Sequence, residues 1–77
     1  MSHQVFEPVL LTAKQAATME FIRAYTQEHG FPPSLREVAV GMGLKSHQCL
    51  HRLRILIRKG FIAHAPGTAR GLRVVLS

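Results

Sequence analysis

Four side chains, His47, His51, Arg54 and Arg58, are spaced at i, i+4, i+7 and i+11, so a helix that carries them aligns them along one side. Ser46 precedes the row, and Gln48 and Arg52 flank it. These are side chains that read or grip an edge rather than break a bond. A glutamine can pair with adenine and an arginine with guanine through two hydrogen bonds, each worth roughly 1–3 kcal/mol of discrimination in the major groove. The first turns of an inserted helix come nearest the bases, which puts Ser46, His47, Gln48, His51 and Arg52 in position to read them. Arg54, Arg58 and Lys59 follow further along, and Lys45 lies just ahead; all four suit phosphates. Across the same helix Leu50, Leu53, Leu56 and Ile57 recur at i, i+3, i+6 and i+7 and are expected to pack inward.

The charge distribution points the same way. From Val38 to Ser77 the chain has seven basic residues (Lys45, Arg52, Arg54, Arg58, Lys59, Arg70 and Arg73) and no Asp or Glu, while Glu7, Glu20, Glu28 and Glu37 all lie earlier. With a net charge of +6 over 77 residues, the second half is suited to a polyanion. Other chemistries find little support. His47 and His51 are four apart, as two metal ligands on a helix would be, but a structural zinc takes four ligands, and Cys49 points about 100° per residue away from its neighbours. No metal or other cofactor is expected. The sequence contains no Asp, no Gly-rich phosphate loop and no Ser/His/acid grouping, so catalysis is not expected. One cysteine precludes an internal disulfide framework and fits a reducing, cytoplasmic location. No apolar run approaches the roughly 20 residues needed to span a bilayer.

These side chains need elements to hold them. Thr12-Ala13-Lys14-Gln15 and Ser34-Leu35-Arg36-Glu37 are capping boxes, each opening a helix. Gln15, Met19, Ile22 and Thr26 line the first helix, and Leu35, Val38, Ala39 and Met42 the second; Gly30 and Gly43 end them. Phe31-Pro32-Pro33 is a stiff connector. Ser46 is expected to cap a third helix running to Gly60. Beyond it, 61–64 and 72–76 read as strands around a Pro-Gly turn. The result is a mainly α chain with a small β-hairpin: three helices plus a two-stranded wing, a winged helix-turn-helix. Arg70, near the hairpin tip, is expected to enter the adjoining minor groove or grip its phosphates, with Thr68 as a helper.

Leu11-Thr12-Ala13-Lys14-Gln15, Phe21-Ile22, Gly30-Phe31-Pro32-Pro33-Ser34-Leu35-Arg36-Glu37-Val38-Ala39, Gly43-Leu44-Lys45-Ser46, Leu50-His51-Arg52-Leu53 and Lys59-Gly60-Phe61-Ile62 together resemble the DNA-binding domain of the LexA repressors, bacterial regulators of the SOS response. The resemblance divides the chain into an N-terminal extension, 1–10, and a LexA-like domain, 11–77. It implies a sequence-specific regulator of double-stranded DNA, a repressor in the family's manner, bound as a homodimer to a palindromic operator in the bacterial nucleoid. The third helix (46–59) would lie in the major groove and the wing (64–71) on the adjacent backbone or minor groove. By position it adds Cys49 to the operator readers Ser46, His47, Gln48, His51 and Arg52. There are two departures from the family pattern. The peptidase domain that makes the family a self-cleaving switch is not in this sequence, and one residue fewer separates Leu53 from Gly60, which turns later side chains by about 100° and exposes Ile55. The alternative expectation is a protein-interaction module, of phage or mobile-element type, that modulates a host regulator.

Overall fold

A computed structural model describes residues 11–65, 67–68 and 70–75; the extension 1–10 lies outside them. Three helices, α1 (Ala13–His29), α2 (Leu35–Met42) and α3 (Ser46–Arg58), precede two short strands, β1 (Ile62–His64) and β2 (Leu72–Val74). The strands pair antiparallel, with Ile62 opposite Val74, Ala63 opposite Arg73 and His64 opposite Leu72. This is a winged helix-turn-helix.

The first two helix starts follow from local chemistry. Thr12 Oγ1 accepts from the Gln15 amide at 3.0 Å while Gln15 Oε1 accepts from the Thr12 amide at 3.1 Å. In the second box Ser34 Oγ accepts from the Glu37 amide at 3.2 Å, and Glu37 Oε1 accepts from the Ser34 amide at 2.8 Å. Each box satisfies amides that the helix itself leaves without partners. At the end of α2, Gly43 adopts φ 69°, a conformation costly for other residues, and the chain reverses into α3 within three residues. The Leu44 amide donates back to the Ala39 carbonyl at 2.8 Å, which locks this turn.

The third helix departs from expectation at its start. Lys45, not Ser46, is the N-cap, and Ser46 is already helical. Gln48 provides the reason: its Oε1 accepts from the Lys45 amide at 3.1 Å, so this end is capped from inside the helix, leaving the Ser46 hydroxyl exposed. The strands are also shorter than the sequence suggests, although the Val75 amide still reaches the Phe61 carbonyl at 2.8 Å.

Met19 and Ile22 from α1, Val38 and Ala39 from α2, Cys49, Leu53 and Leu56 from α3, and Phe61, Ile62 and Leu72 from the wing form one core. Complete burial of a chain such as Ile22 stabilises by roughly 1.5–3 kcal/mol. The buried stripe of α3 differs from the expected one: Cys49 takes the place of Leu50 and Ile57, which stay 36% and 38% exposed. At 100° per residue, Cys49, Leu53 and Leu56 centre a face turned roughly 40° from the expected one. Apolar residues 49, 50, 53, 56 and 57 share one arc of about 120°, with 55 outside it, so the pattern gives the apolar side and the neighbouring elements select which part of it faces inward.

Candidate nucleic-acid interface

The rotation of α3 determines which side chains can meet a partner. Opposite the buried Cys49, Leu53 and Leu56, the residues His47, His51, Arg54 and Arg58 are all exposed, as are Lys45, Ser46 and Gln48 at the N-terminal end. The row seen in the sequence therefore stands on the surface, with its polar residues in the first two turns and its arginines in the last two. No Asp or Glu side chain occurs in residues 38–77. Beside the row, Thr12, Lys14, Leu44, Gln48, His51 and Ile55 help to line a groove of about 380 Å³ between the start of α1 and α3. The sequence marks Thr12 and Lys14 only as parts of a capping box, not of an interface; a lysine in the first turn of α1 looks like any solvated charge until the fold sets it against α3.

Three side chains assigned to the interface are held elsewhere, or partly so. Cys49 is 1% exposed, with its thiol 3.8 Å from the Leu35 carbonyl. It belongs to the α2–α3 packing and cannot read a base, which corrects the assignment carried over by position. Burial pushes the thiol pKa up, opposed in part by the nearby Arg52 charge. The same burial turns Cys49 away from His47 and His51, which face solvent. Arg52 and Lys59 are only half exposed because the rotation carries them toward α1. Arg52 Nη1 lies 3.4 Å from the Thr18 hydroxyl, and Lys59 Nζ donates to Gln15 Oε1 at 3.3 Å.

Arg70 is the most extensively engaged of the assigned side chains. Its guanidinium, expected on a phosphate or in a minor groove, folds back across the molecule onto Glu37 at the start of α2. Nη1 meets Oε1 at 2.6 Å and Nη2 meets Oε2 at 2.8 Å. Nη1 also donates to the Pro32 carbonyl at 3.1 Å, and the guanidinium lies 4.8 Å from the centre of the Phe31 ring. The pair leaves its mark on both partners. Glu37 is held down at about 2, first by the Arg70 guanidinium and then by the Ser34 amide, while the Arg70 pKa is raised. Thr68 is exposed, and its hydroxyl accepts from the Arg70 amide at 3.2 Å. The two partners are 33 residues apart, so no local pattern reveals them. The available signal is that Glu37 is the last acid before the basic half.

Comparison with known proteins gives this geometry a family. The model of the LexA DNA binding domain matches residues 9–71. The LexA repressor of Desulfatibacillum aliphaticivorans is 44% identical over 66 residues, covering 84% of this chain and 32% of that protein. The LexA repressor of Pseudomonas aeruginosa strain PAO1 is 42% identical over 65 residues, 83% of this chain and 32% of the relative. That of Aeromonas hydrophila is 42% identical over 67 residues, 86% and 32% respectively. The chain thus spans about a third of the length of the curated relatives it matches. A helix-turn-helix with an exposed polar and cationic row on its second helix, followed by a two-stranded wing and matched over nearly its full described length, belongs to the LexA DNA-binding domain family.

Proposed function

We propose that this chain binds double-stranded DNA sequence-specifically and represses transcription by occluding a promoter. In this reading α3 enters the major groove. Ser46, His47, Gln48 and His51 address base edges, and Lys45, Arg54 and Arg58 neutralise phosphates. Arg52 and Lys59, drawn toward α1, serve the backbone at the edge of the helix, and the wing, 64–71, lies along the neighbouring backbone. The observation that carries the proposal is the two-sidedness of α3: a buried Cys49, Leu53 and Leu56 stripe opposite the exposed His47, His51, Arg54 and Arg58 row. A single module makes few contacts, so a homodimer on two half-sites about one helical turn apart would gain affinity through effective concentration. Such a protein works in the bacterial cytoplasm, on the nucleoid.

The test is selection of bound fragments from genomic DNA, followed by titration of the selected fragment against random competitor at moderate salt. A preference of at least about a thousandfold is expected of a specific binder. No preference for any sequence refutes the proposal. A second reading, docking to another protein, draws on the exposed Val40 (73%) and Phe31 (44%) on the α1–α2 side. Capture of a defined bacterial regulator that survives nuclease treatment and is lost in Val40→Asp would favour it.

A further inference from the structure

The wing carries one cation whose surroundings give it a different task. We propose that Arg70 is a positioning residue that latches the wing to α2 through Glu37, and that it makes no phosphate contact of its own. The proposal rests on the reading that the wing meets DNA.

The Arg70 guanidinium is already occupied on three sides. Two parallel N–H···O bonds join it to both Glu37 oxygens, the geometry in which arginine binds a carboxylate most specifically. A third bond reaches the Pro32 carbonyl, and one guanidinium face covers the Phe31 ring. To reach a phosphate the side chain would have to give up all of these together. The neck of the hairpin also directs Arg70 this way. The Ala65 amide donates to the Gly71 carbonyl at 3.1 Å, and a Cβ at position 71 would come within 2.8 Å of both the Ala65 carbonyl oxygen and Thr68 Cγ2. Only glycine lets the neck close so tightly. The Thr68 hydroxyl fixes the Arg70 amide from the other side.

Glu37 connects two elements. Its Oε1 accepts both the Ser34 amide, closing the α2 cap, and Arg70 Nη1, while Oε2 takes Nη2. One carboxylate therefore registers the wing against the helix that precedes the recognition turn. The wing has only three residues in each strand, and two-stranded hairpins of this kind need an outside partner to hold their orientation.

Three variants separate a latch from a phosphate contact. Glu37→Gln removes the charge but keeps a side chain able to complete a capping box. Arg70→Lys keeps the charge but loses the fork. Arg70→Gln loses both. In the free protein, hydrogen exchange at the Ala65 amide reports closure of the neck; all three variants are expected to speed it roughly two- to fivefold, the range of exposed ion pairs. On the selected DNA fragment, all three are expected to weaken binding by a similar factor and to leave the slope of log affinity against log salt unchanged. The expectation for Glu37→Gln is the demanding one, because added positive charge alone would tighten binding. Wild-type exchange rates at Ala65 in Glu37→Gln and Arg70→Lys overturn the latch. So does a slope flattened by about 0.9 per bound module in Arg70→Gln with Arg70→Lys near wild type, which is the behaviour of a phosphate contact. If the wild-type chain binds no DNA, the proposed function fails, while the exchange measurement still decides whether Arg70 and Glu37 hold the wing.

Discussion

Replacing Arg58 with glutamine removes one charge from the exposed flank of α3 without touching the core, since Arg58 faces solvent opposite Leu53 and Leu56. If Arg58 neutralises a phosphate, its loss should lower the slope of log affinity against log salt by about 0.9 per module. With Lys45, Arg54 and Arg58 as the exposed backbone cations of α3, a module has a slope of about −2.7, so raising salt fourfold, from 50 to 200 mM, weakens it about 40-fold. In a dimer the exponents double, and Arg58→Gln removes two contacts, a change of about 1.8 in slope. The assay is fluorescence anisotropy of a labelled operator fragment and a random duplex at several salt concentrations. Arg58→Gln and Arg54→Gln should weaken both duplexes by the same factor and so keep the preference between them. Gln48→Ala should reduce that preference by roughly 5- to 150-fold, the equivalent of 1–3 kcal/mol, and leave the slope alone. Unchanged slopes in both arginine variants would place DNA on some other surface and refute the reasoning.

Further expectations concern the scaffold. Leu56 is completely buried, so Leu56→Ala should cost about 2–5 kcal/mol and lower the melting temperature by roughly 8–40 °C for a domain of this size; calorimetry showing almost no change would contradict the packing. The Cys49 thiol, enclosed beneath Leu35 and raised in pKa by burial, should react with a disulfide reagent at least about a hundredfold more slowly in the folded chain than in denaturant. Cys49→Ala should leave the base preference as it is. Glu37 has its folded pKa lowered to about 2 from an ordinary value of about 4.3. A lowered carboxylate stabilises above its unfolded pKa and loses that contribution as pH falls through the folded value. The melting-temperature difference between wild type and Glu37→Gln should therefore hold above about pH 4.3 and fade toward pH 2.

Much of this molecule is legible in its sequence where the causes are local. Thr12 with Gln15, and Ser34 with Glu37, announce their helices because each box closes within three residues, and Gly30 and Gly43 mark ends where only a left-handed residue fits. The row His47, His51, Arg54 and Arg58 is equally local, and all four are exposed. What escapes is set by packing. Five apolar residues share an arc of α3 about 120° wide, which leaves the centre of its inward face to be set by the bundle, and the burial of Cys49 and the leaning of Arg52 and Lys59 toward α1 follow from that. The cap at Lys45 escapes because Ser46 has the stronger intrinsic preference, and Gln48 overrides it. Arg70 escapes because its partner is 33 residues away, a distance at which charge pattern can name a surface but not a pair.

The aromatic rings beside Arg70 give the molecule a built-in reporter. Tyr25 is the single tyrosine in a chain without tryptophan, and it sits 4.1 Å from the His29 ring and 6.2 Å from Phe31, centroid to centroid. Its ultraviolet emission thus originates on α1, next to the Phe31 ring that Arg70 covers, and on a different element from the recognition helix. Movements of the wing can be followed by that native signal alone, with no label attached to the surface under study.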